Sequence, residues 1–420
     1  MADFYTPQDV SLLDVKISNT VNKTLDITDL VSEFNIYEEL GQPVLLADMS
    51  IIDSTGVLGD FPITGQEVIT CTVQRIEVMH DLVFRVVDIN GLQNQGQQVL
   101  TYTLDLVEGS YFNNMLSLVS QAYEGNISDI IASIYEDYLK TELNHKDQST
   151  GSYKCIIPNW KPYTAIEWLM KRAVDKKGYP LVLTNTFQNG TSLLSLETIF
   201  SRKMIEEFTY HQQSNNEGYD YNSLAKTPLE FTNVNNGGVL SQLRNGAFGS
   251  TYINVNTNGK YATHFEYDLE NYHEDQPKLQ QNVIINHKAL IDGKQLNHFP
   301  KTIQAIKFNS GDNFGPSHKN YDTSTNDILP FRNNFNNMLQ TFKYNLGIHG
   351  RSDIEVGCLV SLKFPSNRPY NPEDPESGLD KKRSGRHLVT KVRHKINDRD
   401  KYVMLIECVS DGLGEDYNAK

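Results

Sequence analysis

The chain has 420 residues, 52 of them acidic and 38 of them Lys or Arg, for a formal net charge of -14. Such a length predicts two to four domains. The acidic balance argues against a dedicated nucleic-acid binder, which needs a basic surface to displace counterions. No apolar run reaches 18 residues, so no transmembrane helix and no membrane anchor are expected.

The N-terminus, MADFYTPQDV, lacks a basic region followed by an apolar stretch, so no secretory signal is expected. Residues 11–107 read as all-β, with alternating or apolar runs at 11–18, 44–52, 67–76, 82–91 and 97–107. Gly56, Gly59, Gly65 and Gly91 punctuate them, and that spacing predicts a small antiparallel barrel or sandwich.

The middle changes period. Residues 125–140 place Ile130, Ile131, Ile134, Tyr135 and Tyr138 on one helical face, with Ser128 as the expected N-cap. Residues 161–178 predict a second helix. Thr164 and Glu167 would form its capping box, and Gly178 its stop. The runs 179–186 and 191–200 around Asn189-Gly190 predict a β-hairpin. Two strands are expected within 245–269, around Asn258-Gly259, and a loop over 310–327.

The last part returns to barrel-like patterns. Phe335, Met338, Leu339, Phe342 and Leu346 predict a helix over 332–346. Gly350 and Gly357 then lead into a strand at 358–364. A Pro-rich loop at 367–386 follows, and a hairpin pairs 387–396 with 401–410 across Asn397–Asp400. The expected fold class is α+β and β-rich: two small antiparallel β-barrels in one chain with a mixed α/β middle region. The expected parts are a first barrel at 1–109, helices plus hairpin at 110–205, and a polar strand and loop region at 206–330. A helix plus second barrel fills 331–420, with strands from 206–269 available to it.

Chemistry-bearing patterns are sparse. His145, His211, His264, His273, His287 and His298 show no ligand spacing, and no HExxH occurs. His387 and His394, seven apart in one strand, are expected on opposite faces, with structural or solvent-exposed roles. Cys71, Cys155, Cys358 and Cys408 are far apart and predict free, buried thiols rather than a zinc ribbon or a disulfide scaffold. Asp374, Glu376, Gly378 and Asp380 imitate a cation loop without the EF-hand spacing, and the prolines there favour a stiff exposed arm. Asp380, Lys381, Lys382, Arg383 and Arg386 make the one basic cluster of that region, a candidate partner-contact loop. No GxSxG or P-loop occurs, so no catalytic residue, metal site or cofactor is assigned.

The order of elements resembles the baseplate hub proteins of contractile-tailed phages and, more distantly, the hub part of VgrG of type VI secretion. The resemblance rests on the helix near 161–178, the strand pair with the step Ser195-Leu196-Glu197, the glycine-led step at Gly350 and Gly357, and the segment 30–68. It implies a virion structural protein, made in the bacterial host cytoplasm and located in the tail baseplate. It implies a homotrimer whose two barrels per chain make a pseudo-sixfold ring between a threefold central spike and a sixfold tail tube. Implied partners are the spike, the tube or tube-initiator protein, the tape measure protein and the baseplate wedge or ring proteins. DNA would pass the channel without specific binding. Two other classes compete: a tail-associated peptidoglycan lysin with a groove-facing carboxylate pair, and a carbohydrate-binding adhesin using Tyr252, Tyr261 and Tyr267. The acidic charge would either line the channel or serve solubility.

Overall fold

The computed structural model describes residues 10–19, 23–61, 63–75, 78–96, 99–210, 226–256, 260–273, 278–282, 284–300, 304–309, 332, 334, 336–339, 341–366, 373 and 378–415. The expected loop at 310–327, much of the Pro-rich arm, including Asp374 and Glu376, and His211 lie outside them.

The first unit contains β1 (Val10–Ser18), β2 (Thr24–Asp26), β3 (Val31–Glu39), β4 (Leu46–Asp53), the one-turn helix α1 (Val57–Asp60), β5 (Val68–Arg75), β6 (Val78–Asn94) and β7 (Leu100–Glu108). The alternation that predicts five of these strands is the burial pattern itself: in β1, Val10, Leu12, Val15 and Ile17 are buried. A register shift between Leu12 and Asp14 turns Leu13 outward. β3 is not evident from the pattern because its inward set includes the polar Glu38.

The middle unit packs α2 (Gly109–Leu116), α3 (Ile127–Ile134) and α4 (Pro162–Met170) against β8 (Val119–Gly125), β9 (His145–Lys146), β10 (Tyr153–Trp160), β11 (Leu181–Thr186) and β12 (Gly190–Ser195). Both predicted helices are present, but their ends differ. Asn126, not Ser128, is the N-cap of α3, while the Ser128 hydroxyl turns to Gln148 and the backbone of Ser149. The helix α4 starts after Lys161 with Pro162 in its first turn, so Thr164 lies inside it and Glu167 pairs with Lys171. It stops at Met170, and Gly178 serves a later turn in which its N–H donates to Asp175 O.

The hairpin β11–β12 forms around Asn189-Gly190, with Thr186 opposite Gly190. It is followed by the short helix α5 (Leu196–Phe200) rather than by further strand. The second unit adds β13 (Met204–Thr209), β14 (Glu230–Asn236), β18 (Phe342–His349), β19 (Leu359–Lys363), β20 (Gly385–Asn397) and β21 (Lys401–Ser410). Between them β15 (Gly249–Asn256), β16 (Tyr261–Asp268) and β17 (Gln304–Asn309) form a separate three-stranded sheet.

The predicted helix at 332–346 is corrected. Residues 332, 334 and 336–338 are helical, but Phe342–His349 is a strand paired with β21. Phe342, Tyr344, Leu346 and Ile348 are buried with a period of two, and ladder pairing on both sides overrides the helical period.

The fold class is β-rich α+β, as expected, but no closed barrel forms among the described residues. Instead one 13-stranded sheet runs β14-β18-β21-β20-β3-β4-β7-β6-β5-β1-β2, with β13 and β19 branching from β20. The joint is β20, whose first half pairs with β19 and whose second half pairs with β3. One apolar core follows the sheet through both units and includes Phe34, Met49, Leu104, Ile348 and Met404.

Candidate functional site

Two features lie where the units meet: the outward sheet face at the β3–β20 seam, built by the first and second units, and a buried junction behind it that also takes in the middle unit.

On the outward face, charges alternate in sign across neighbouring strands. Lys391 meets Glu39 at 2.7 Å, Lys395 meets Glu33 at 2.7 Å, and Arg393 lies 3.2 Å from Glu33. Lys343 stands 3.3 Å from Glu407. Asn35 and Tyr37 both donate to Asp48, at 2.7 and 2.5 Å. Burial first, then the bond to Asp48, push the Tyr37 hydroxyl up to about 12. A groove of about 540 Å³ crosses this face, and Leu46, Gly347 and Leu405 are among the residues that line it.

The junction is organised by Glu38, whose side chain is fully buried. Its oxygens accept the N–H of Phe187, at 3.0 Å, and that of Val356, at 3.2 Å. His394 Nε2 lies 3.3 Å from the same carboxylate. One side chain of β3 therefore ties the tip of the middle hairpin and the 350–357 segment to the seam. His394 Nδ1 lies 2.6 Å from the Tyr402 hydroxyl, which donates to the Arg351 carbonyl at 3.3 Å. Arg351 is itself buried and forks onto Asp353, with Glu206 on its other side. Glu355 accepts from Thr186 and Asn189; burial first, then the Glu38 charge, push its carboxyl up. Asn185 donates to Pro43 O and to Glu108, whose carboxyl burial pushes up.

The candidate residues fall as follows. Gly350 lies where a Cβ would stand 2.0 Å from the Tyr402 ring, and Gly357 has φ +87, so one glycine serves close approach and the other a left-handed backbone. Both belong to the junction segment. Ser195 is the N-cap of α5: its Oγ accepts the Glu197 N–H at 3.1 Å and donates to Asp175 at 2.5 Å. Leu196 packs in the core, and Glu197 pairs with Lys177. In the basic cluster, Asp380 accepts the N–H of Lys382 and of Arg383 and pairs with the Arg383 guanidinium. Arg386 donates to the Phe200 carbonyl at 2.5 Å, and the Lys382 carbonyl accepts from Gly414. This turn folds back on its own chain, with the Lys381 residue exposed.

His387 and His394 are both buried, which corrects the expectation of opposite faces. A register shift between Val389 and Lys391 reverses the side-chain alternation, so both imidazoles point inward. Burial holds His387 down at about 4. The four cysteines are free and buried, as predicted. Burial pushes the thiols of Cys71 and Cys358 up to about 12. Tyr267 is buried in the small sheet, whereas Tyr261 is exposed. Among the described residues, no group of three His, Cys, Asp or Glu stands at metal-binding geometry, and no helix is long and apolar enough to cross a membrane. Glu38 was beyond sequence reasoning because its partners lie 149 and 318 residues away.

The architecture has relatives. A tail protein from Neisseria meningitidis aligns over 96% of this chain and 97% of its own, with a TM-score of 0.56 and 10% identity. A 43 kDa tail protein of a Shewanella oneidensis prophage covers 95% of this chain and 98% of its own, with a TM-score of 0.54 and 10% identity. A weaker likeness, with a TM-score of 0.43 and 7% identity, joins 98% of this chain to 79% of a type VI secretion system component from E. coli. No protein-family model matches the sequence. No curated protein matches it either. The chain has the fold of phage tail proteins, and the resemblance drawn from its element order is present at that level.

Proposed function

We propose that this chain is the structural hub of a contractile phage-tail baseplate, a homotrimer joining a threefold spike to a sixfold tube. The observation that carries this reading is the antiparallel path β14-β18-β21-β20-β3-β4-β7-β6, which runs unbroken through two β-units. Each chain contributes two sheet segments fused edge to edge. Among the described residues β14 is the terminal strand at one end and β2 at the other, and within the path β5 covers only Val78–Arg85 of β6, so the ladder on that side does not reach 88–94. Such edges invite pairing with a further strand. A head-to-tail contact repeated three times closes a ring from one interface type.

The outward face would then line the channel. Its carboxylates are matched by Lys343, Lys391, Arg393 and Lys395, which favours a nearly neutral wall over a strongly acidic one. Paired charges leave little net field to hold a passing polyanion. The four-part division at 1–109, 110–205, 206–330 and 331–420, the glycine step and the 380–386 turn as contact elements belong to the same proposal, as do the spike, tube, tape measure and wedge partners.

No enzymatic role is proposed: the relatives carry tail-protein names, and the buried carboxylates Glu38 and Glu355 face backbone and side-chain donors rather than an open groove. The test is light-scattering mass after size exclusion. Three times 47.7 kDa is expected. A monomer at every concentration that also clears a peptidoglycan suspension would replace the hub with the lysin.

A further inference from the structure

A second groove, of about 790 Å³, lies where the 40–44 turn of the first unit, α4 of the middle unit and Arg332, Asn336 and Leu339 meet. Pockets at the junction of structural units are common ligand sites. Leu40, Val44, Met170 and Leu339 give it an apolar side, beside the polar Gln42, Asn114 and Asn336. Its charges are uneven. Lys171 and Glu167 on the rim pair with each other at 2.8 Å and cancel. Arg332 is half-buried, and its guanidinium donates to the Met170 carbonyl. Among the described residues no carboxylate pairs with it. Burial alone lowers its proton affinity, the direction expected of a cation without a counter-charge.

A partly desolvated guanidinium beside apolar walls is complementary to an anion carried on an apolar body. We propose that this groove is a docking site for a peptide segment of another protein that presents a carboxylate next to a leucine-like side chain. The carboxylate would take the remaining Arg332 N–H donors, and the apolar side chain would pack between Met170, Leu339 and Val44. The inference does not depend on the hub reading, since the groove is built within one chain.

The smallest probe with this chemistry is N-acetyl-leucine, and its control is N-acetylleucinamide, which lacks only the charge. Saturation-transfer NMR on the full chain with each compound at about 1 mM, a range suited to weak ligands, compares them directly. The carboxylate is expected to bind about tenfold more tightly than the amide. Arg332→Gln should bring the two to the same level while the melting midpoint stays near that of the native chain. Arg75→Gln, far from the groove in sequence and absent from its lining, should leave the difference intact. Equal signals from the two compounds, no signal from either, or an unchanged preference in Arg332→Gln would each overturn the proposal. The mass measurement above separates a failure here from a failure of the hub reading.

Discussion

Gly350 lies so close to Tyr402 that a Cβ built on it would stand 2.0 Å from the ring and 2.6 Å from the Tyr402 carbonyl oxygen. The ring is buried and stacks on His394, so it has nowhere to retreat. Gly350→Ala should therefore cost about 3 kcal/mol or more, the upper range of overpacking. Gly357 differs: a Cβ there meets nothing closer than 3.4 Å, and the strain is only that of φ +87. Gly357→Ala should cost about 1 kcal/mol. Urea midpoints of the two variants check both the size and the order.

Glu38 gives a second, independent test of the junction. Truncation to Ala leaves the Phe187 and Val356 N–H groups buried without an acceptor. The expected loss is about 3–5 kcal/mol. Glu38→Gln keeps one accepting oxygen but turns an NH2 toward the other N–H, so it should lose about half as much. Equal losses would show that the charge facing His394, not the two N–H bonds, holds the junction.

The first unit was the most legible part because its strands alternate and are cut by glycines. The junction was not legible, and β3 shows why. Its seam residues are polar, and their partners are set by β20, which follows hundreds of residues later. His387 and His394 show a second limit. One bulged residue near Thr390 reverses every side chain that follows, and no local pattern announces it. The 342–349 segment shows a third. Its apolar residues fit a helical and a strand period alike, and only its two ladder partners decide between them. Motif reading erred at Thr164 and Glu167 because Pro162 starts the helix earlier than the capping-box pattern suggests. It read Ser195-Leu196-Glu197 as part of a strand over 191–200, whereas Ser195 ends β12 and caps α5.

Asp411 and His387 set opposing pH dependences. Asp411 is fully buried and accepts the N–H of Leu279 and Gln280; burial raises its carboxyl from 3.8 to about 6. The folded chain thus binds a proton between about 4 and 6 that the unfolded chain does not, so this group's contribution is present at low pH and is lost as pH rises through about 6. His387 is lowered from 6.5 to about 4, so there the unfolded chain binds the extra proton, and stability is lost as pH falls from about 6.5 to 4. Each contribution is at most about 3 kcal/mol. Relative to the native chain, Asp411→Asn should lose ground as pH falls from 7 to 4, and His387→Phe should gain it. Denaturant unfolding at pH 4.5 and pH 7, chosen on either side of about 6, checks both. Parallel curves for native chain and variants would exclude the assignment.

The terminal strand β14 bears on assembly. Leu229, just before it, and Val234 within it are 50% and 51% exposed. Among the described residues β14 pairs on one side only, with β18. An exposed apolar edge is what a neighbouring strand would cover, and lysine is the residue that blocks such pairing. Leu229→Lys with Val234→Lys should leave the fold of the single chain intact, because neither side chain belongs to the core. In a ring closed through this edge, the same change should shift the light-scattering mass from three copies toward one, with an unchanged far-UV spectrum. Retention of the trimer by this variant would move the interface elsewhere. Loss of the trimer on charging 88–94 of β6 instead, with β14 intact, would place the contact on that uncovered stretch of β6 alone. Loss in both variants is the outcome a head-to-tail ring requires, because each interface of such a ring uses one edge from each of two chains.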